Sequence, residues 1–294
     1  MTTVYVPLDS VAVAMDANAV AEQLTKAGAA VIRNGSHGLA WLEPLIEVEN
    51  GGERIAYGPV SPTTVADLIT NGFLHHQLIE HPLCRGPIGS HDFLQSQTRL
   101  VFDRIGHDSP LGVPDLADVL RALAIPPDDL IEMIEISGLR GRGGAGFPAH
   151  IKWRTVRETD APSKYLVCNA DEGDSGTFAD RLLLEGDPFR LIEGMVIAGY
   201  ATGANHGVVY LRSEYPIAKT IFEQALEVAR EHNLIGHNVL GSDFDFDLEL
   251  FLGAGAYICG EETSLLESLE GRRGQIRVKP PVPAISGLLS MPTL

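Results

Sequence analysis

Cysteine is scarce in this chain. Its 294 residues include 3, Cys84, Cys168 and Cys259, and no two of them form a Cys-x-x-Cys pair. A thiolate zinc site, or an iron–sulfur cluster ligated by this sequence alone, is therefore excluded, because each needs about four ligands. The sparse, odd count also fits a reducing compartment better than a disulfide scaffold. The first residues, Met1-Thr-Thr-Val-Tyr-Val-Pro7, lack the basic start and apolar core of a signal peptide. No apolar run approaches the ~18 residues of a membrane span, so a cytoplasmic chain with no direct membrane span is expected. Cations are short as well: 22 Lys and Arg against 39 Asp and Glu give a net charge of −17. Such a surface repels nucleic acid and anionic lipid, so neither is an expected partner.

The remaining composition is ordinary. A 45% hydrophobic fraction with 21% charged residues describes a globular chain, and the length suits about two domains. The cations are clustered. Residues 140–157 carry Arg140, Arg142, Lys152, Arg154 and Arg157 without an acid, and residues 271–294 carry Arg272, Arg273, Arg277 and Lys279 without one. Two basic islands in an acidic chain suggest pockets for a small anion; the alternative is a pair of solvated loops.

Periodicity places a strand at 3–7, a helix at 17–27 and a strand at 29–33. Two further strands, Trp41–Glu49 and Glu53–Gly58, flank the turn Asn50-Gly51-Gly52. Ser61-Pro62 opens a helix running to about Asn71. This β-α-β-β-β-α order predicts a small thioredoxin-like domain over 1–80, and without a cysteine pair it has no dithiol chemistry. His75-His76 reads as a solvated helix end, and no histidine spacing suits a metal. Residues 81–114, rich in Gly, Pro and His, read as a linker draped over the surface. Over 115–294, helices at 116–123 and 128–137 precede alternating strands (164–169, 207–212, 248–252) and helices (188–202, 216–233, 261–270). That alternation predicts an α/β domain, Rossmann-like, with a mainly parallel sheet. Ligands of such sheets bind beyond the carboxyl ends of the strands.

Three loops carry chemistry. Gly141-Arg-Gly-Gly-Ala-Gly-Phe-Pro148 spells G-x-G-x-x-G. It follows a helix instead of a strand, and Pro148 interrupts what comes next, so a dinucleotide fingerprint is not expected. Its glycines still let backbone N–H groups approach a phosphate or a flat ring, with Arg142 and Lys152 for charge and Phe147 for stacking. The second loop, Asn169-Ala-Asp171-Glu172-Gly-Asp174, crowds acceptors for sugar hydroxyls at the end of a strand; its spacing does not suit calcium. The third, Gly253-Ala-Gly-Ala-Tyr257-Ile-Cys-Gly260-Glu261-Glu262, leads a strand into a helix whose dipole stabilises the two glutamates. Flexible turn, exposed acidic turn and plain helix cap are the respective structural alternatives. Cys168 and Cys259 read as small buried residues.

Together, Ser137–Pro148, Lys152-Trp153, Cys168–Glu172, Gly253–Ser264, Glu270–Arg273 and Lys279-Pro-Pro281 resemble the flavin-bearing, NADH-oxidising 51 kDa subunit of respiratory complex I and its soluble diaphorase relatives in hydrogenases and formate dehydrogenases. Val31–Ser36, Trp41–Pro44 and Tyr57–Pro59 resemble the N-terminal extension of the beta subunit of NAD-dependent molybdenum- or tungsten-containing formate dehydrogenases. The resemblance implies that FMN is cradled by Gly141, Arg142, Gly143, Gly144, Lys152, Asn169, Asp171, Glu172, Gly260, Glu261 and Glu262. Glu172 and Glu262 would act in catalysis. Phe147, Asp174, Tyr257 and Lys279 would line the NAD(H) side. Thr155 and Val282 stand where the family carries aromatics. The implied partners are iron–sulfur subunits and a molybdenum- or tungsten-cofactor subunit. Family members continue past Met291-Pro-Thr293 into an Ile-Asn-Asn segment, a ubiquitin-like domain and a four-cysteine [4Fe–4S] bundle, and the sequence lacks the cysteines for that cluster. A chain without those parts could alternatively be an assembly module rather than an enzyme.

Overall fold

The computed structural model describes residues 1–75 and 80–294 and resolves two compact units. The first comprises Met1–Gly112 with Arg181–Pro188, and the second Val113–Asp180 with Phe189–Leu294. In the first, β1 (Thr3–Pro7), α1 (Ser10–Ala14), α2 (Ala17–Lys26) and β2 (Ala30–Asn34) form a helical crossover between two parallel strands, β1 and β2. β3 (Ile46–Asn50) and β4 (Glu53–Tyr57) follow as a hairpin, then α3 (Pro62–Thr70), β5 (Cys84–Pro87) and α4 (Asp92–Gln95). The strand order β2-β1-β3-β4-β5, with all pairs but the first antiparallel, is a thioredoxin-like sheet extended by β5. Ser61 caps α3 through the Thr64 N–H, with Pro62 in the first turn, as the sequence predicts. Val4, Val6, Val20, Leu24, Ile46, Val48, Tyr57, Leu68 and Phe73 bury one face of the sheet. Leu39, Leu42, Leu45, Ala56 and Ile88 form a smaller core.

Two expectations need correction here. Trp41–Glu49 is not one strand. Ala40–Leu42 is a 3-10 turn, Pro44 has no N–H to pair, and Leu45 spends its own on Glu43 Oε2 at 2.9 Å, so β3 starts at Ile46. Residues 81–114 are more than a draped linker: Cys84–Pro87 pairs with β4, and Ile88 and Ile105 are buried. Four residues that include Gly86 and Pro87 are too short a strand to show alternation. α1 escaped notice for the same reason of length. His75 closes a 3-10 turn over Phe73–His75, whereas His76 lies outside the described residues.

The second unit begins with α5 (Ala117–Leu123), α6 (Pro127–Ser137) and α7 (Ala149–Glu158). Then come β6 (Tyr165–Ala170), α8 (Ala179–Gly186, of which Arg181–Gly186 belongs to the first unit), α9 (Pro188–Thr202), β7 (His206–Leu211), α10 (Pro216–Glu231), β8 (Asp247–Leu252) and α11 (Glu262–Leu269). The sequence reading missed α7 and α8. Pro148 does not interrupt; it immediately precedes the first residue of α7, a position where a missing N–H costs nothing. The sheet is wholly parallel in the order β6-β7-β8, so the α/β expectation holds. Tyr165, His206 and Asp247 start in line, and Ala170, Leu211 and Leu252 finish in line. Pro292–Leu294 runs beside β6, with Tyr165 and Val167 N–H groups donating to the Pro292 and Leu294 carbonyls at 2.9 Å. No helix among the described residues is long and apolar enough to cross a membrane.

The first unit buries carboxylates beside its core. Asp9 accepts from the Val11, Ala12 and Ser36 N–H groups, Glu43 from Ser36 Oγ at 2.5 Å, and Glu185 from the Ser10 N–H at 2.8 Å. Burial, reinforced by the nearby charge of Asp9, pushes the Glu43 carboxyl up to about 8. A carboxyl that ionises near 4.5 when unfolded and near 8 when folded binds the extra proton in the native state between those values. Stability therefore falls as pH rises through that window, by up to about 1.4 kcal/mol per pH unit. Glu43→Gln is expected to flatten the decline in melting temperature between pH 5 and pH 8 measured by circular dichroism. Parallel curves for the two proteins would refute the assignment.

Candidate functional site

The aligned strand ends of the second unit deliver three loops to one edge of its sheet: 171–178 after β6, 212–215 after β7 and 253–261 after β8. They are tied to one another. Asn169 Nδ2 donates to the Gly260 carbonyl at 2.8 Å, and Tyr257 Oη donates to Asp174 Oδ1 at 2.9 Å. The Tyr257 ring lies against Gly173 so closely that a Cβ there would sit 2.7 Å from it, which explains that glycine. Arg212 Nη1 donates to the Glu172 carbonyl at 2.6 Å, and Tyr215 Oη donates to Glu172 Oε2 at 3.2 Å. Glu172 Oε1 accepts the Ala179 and Asp180 N–H groups at 2.8 and 3.0 Å, so its carboxylate caps α8.

The glycine loop is a closed hairpin. Arg140 and Pro148 form a bridge, the Gly141 N–H donates to the Phe147 carbonyl at 2.9 Å, and Arg140 Nη1 donates to the Gly146 carbonyl at 2.9 Å. Gly144 and Gly146 need positive φ, at 81° and 57°. Gly143 has no such need, and a Cβ built on it meets nothing within 4 Å, so no internal contact demands glycine there. Among the described residues, the N–H groups of Arg142, Gly143 and Gly144 donate to no protein acceptor.

Charge joins this loop's helix to the third loop. Lys152 Nζ on α7 lies 3.1 Å from Glu262 Oε2, Lys279 Nζ bonds Glu262 Oε1, and Lys279 Nζ is 3.4 Å from Glu261 Oε1. The Phe147 ring centroid is 5.9 Å from Lys152 Nζ. Glu261 also caps α11 through the Thr263 and Ser264 N–H groups at 2.9 and 3.0 Å. Partial burial raises both glutamates, but the hydrogen bonds and the lysines outweigh it and hold both carboxyls below the usual range. Burial likewise lowers Lys279, and the Glu262 carboxylate more than reverses it. Burial raises Asp171 against the pull of Arg212, and Asp171 Oδ2 is buried without a partner. Burial next to Glu172 raises Asp180 to about 6. Burial pushes the Cys168 thiol up to about 12, so it stays protonated and unreactive.

The structure thus brings together Phe147, Lys152, Glu261, Glu262 and Lys279, and separately links Asn169, Glu172, Asp174, Tyr257 and Gly260. The basic islands mostly dissolve into internal pairs. Arg154 reaches Glu135 at 2.9 Å and Arg157 reaches Asp128 at 2.5 Å, while Arg277 reaches Glu267 and Glu270 at 2.5 and 2.8 Å. Arg142 and Arg273 keep exposed cations without an ion pair among the described residues. Arg212 and Tyr215 were missed, although their position just after a parallel strand is itself the signal. A cavity of about 470 Å³ lies at the opposite end of the sheet, against Tyr165, His206, Asp247, Phe251 and Leu289, and takes no part in this cluster.

A parallel sheet with glycine-rich and acidic loops at its carboxyl edge defines a nucleotide-cofactor-binding α/β domain. Residues 134–290 match the Nuo51 FMN-binding domain, and the chain belongs to that family. It is 47% identical over 206 residues to NADP-reducing hydrogenase subunit HndC of Solidesulfovibrio fructosivorans, covering 68% of this chain and 42% of that protein. It is 52% identical over 168 residues to an NADH-quinone oxidoreductase subunit of Rhizobium meliloti (strain 1021), covering 57% and 40%. Over 184 residues it is 50% identical to NAD-reducing hydrogenase HoxS subunit alpha of Cupriavidus necator, covering 62% and 31%. The chain thus spans well under half the length of these relatives. Its whole length superposes on half of a chain in the crystal structure of an NAD+-reducing [NiFe]-hydrogenase in the H2-reduced state, with a TM-score of 0.56 and 31% identity.

The residues present fit FMN. The free N–H groups of Arg142–Gly144 and the open space beside Gly143 suit a phosphate or ring, and the orphaned Asp171 Oδ2 suits a hydroxyl donor. One consequence of the geometry needs no ligand. Glu261→Ala removes the α11 cap and is expected to lower the unfolding free energy by about 1 kcal/mol in urea. Glu261→Gln, which keeps an acceptor oxygen, should lose less; equal losses would show that the cap is not the cause.

Proposed function

We propose that the chain is the flavoprotein part of an NAD(H)-linked oxidoreductase, a diaphorase that passes hydride between NAD(H) and FMN and exchanges electrons with iron–sulfur subunits. The observation that carries the reading is the convergence of an amide-rich glycine loop, an orphaned buried carboxylate and a Lys–Glu–Lys cluster on one edge of a parallel sheet. When bound, FMN supplies the chemistry that links a two-electron hydride to one-electron carriers. The chain's own groups bind and orient. Amides of Arg142–Gly144, on the hairpin that the Gly141 N–H closes, and the Lys152 ammonium would hold phosphate, while Asn169, Asp171 and the Gly260 carbonyl would meet hydroxyl and amide groups. Phe147 offers a half-exposed ring to a base. Glu261 and Glu262 would complete the FMN cradle, and Asp174, Tyr257 and Lys279 would line the dinucleotide side. Glu172 would shape the site as the anchored centre of its loop.

For the physiological complex we infer a formate dehydrogenase with a molybdenum- or tungsten-cofactor subunit. Its support is the N-terminal motif set, whose members meet in the first unit. Ser36 Oγ donates to Glu43 at 2.5 Å, and Gly58 packs on the Leu42 carbonyl, where a Cβ would come within 2.4 Å. Formate-driven NAD+ reduction by the purified complex is expected, and hydrogen-driven reduction in its place would transfer the protein to a hydrogenase.

The purified chain is expected to show flavin absorbance, or to gain it on adding FMN, and to reduce ferricyanide with NADH. Lys152→Ala should weaken FMN binding about tenfold, the scale of one charge-assisted contact. Retained flavin and unchanged turnover in that variant would refute the assignment of Lys152. A chain that takes up no FMN would favour the assembly-module reading.

A further inference from the structure

Glu172 has both carboxylate oxygens and its carbonyl engaged by protein donors. Oε1 takes the Ala179 and Asp180 N–H groups, Oε2 takes Tyr215 Oη at 3.2 Å, and the carbonyl takes Arg212 Nη1 at 2.6 Å and Tyr215 Oη at 3.3 Å. Arg212 is itself oriented by Glu214, whose carboxylate accepts Nε at 2.8 Å, and its guanidinium stands 5.9 Å from the Tyr215 ring centroid. Tyr215 is 5% exposed, so its hydroxyl is held to these partners by packing. On either side of this anchor lie Asp171, with its orphaned Oδ2, and Gly173-Asp174, pressed on and bonded by Tyr257. The middle of the acidic loop is therefore fixed from the loop after β7, while its flanks carry the groups open to a ligand.

We propose that Arg212 and Tyr215 are positioning residues of the cofactor site: acting through Glu172, they hold the acidic loop in its binding conformation before any cofactor is present. The proposal rests on the FMN reading above. Binding is tighter when the ordering of a loop is completed beforehand, because association then carries no cost for it. The hydroxyl of Tyr215 contributes through Glu172 and not through the core, since its ring is packed independently of that oxygen.

The test titrates FMN into the 294-residue chain and follows the quenching of flavin fluorescence. Tyr215→Phe keeps the ring and is expected to raise the Kd about tenfold. Glu172→Ala should raise it at least as much, and the double variant should bind no more weakly than Glu172→Ala alone, because the hydroxyl then has nothing to act through. A Kd within twofold of the wild type for Tyr215→Phe, or losses that multiply in the double variant, would overturn the proposal. If circular dichroism shows Tyr215→Phe unfolded, Arg212→Lys, which keeps the charge and loses the forked donor, is taken through the same cycle. Hydrogen exchange of the Asp171–Asp174 amides in the FMN-free chain gives a readout without ligand and should quicken in Tyr215→Phe. If the wild-type chain binds no FMN while Tyr215→Phe still shows this quickening, the flavin reading is overturned and the loop assignment stands; unchanged exchange in Tyr215→Phe would overturn the positioning itself.

Discussion

The in-register parallel pairing of β6, β7 and β8 is the constraint on which the candidate site depends. Parallel strands whose last residues are hydrogen-bonded neighbours must release their following loops at one edge. Residues separated by ~90 positions, such as Asn169 and Gly260, then become contact partners. A one-residue slip of β8 would reverse which side chains face the α11 side and separate Tyr257 from Gly173 and Asp174. The buried Tyr210 and the small cluster it forms with Cys259, Leu265, Leu266 and Leu288 support that register from the α11 side.

Electrostatics decides how an acidic chain presents a site for anions. Most cations of the two basic islands are neutralised by α6 and α11 carboxylates, so the islands are scaffolding more than pockets. Of the cations near the loops, Arg142 keeps an exposed charge, whereas Lys152 and Lys279 both lie on Glu262. Such pairs are partly exposed and individually worth little in stability. Their value is positional: they draw α7, α11 and the Lys279 segment to one locus. The same carboxylate that orders the lysines would compete with a phosphate for them.

Neighbouring loops contribute differently to the site. The glycine loop is closed by its own backbone and leaves amides free. The acidic loop borrows its rigidity from Arg212, Tyr215 and Tyr257, which belong to two other strand ends. The amide-rich hairpin is thus self-supporting, whereas the carboxylate loop is fixed from outside.

Much of this was legible in the sequence because it is local. Alternating strand and helix patterns, the Ser61 cap with Pro62, the hairpin at Asn50-Gly51-Gly52, and the three motif loops all follow from short-range propensity and spacing. The sequence by itself determined that the second unit is a parallel α/β domain and which loops carry acceptors, amides and an aromatic ring. β5, α1 and α8 were not legible, since elements of four to eight residues offer too little periodicity. Only the tertiary structure decided that Pro148 lies just ahead of a helix, that Arg154, Arg157 and Arg277 are consumed by internal pairs, and that Glu172 turns inward to α8 and Tyr215. The reason is physical: propensity acts between neighbours in the chain, whereas a charge's partner is chosen by whichever group the packed strands bring within reach.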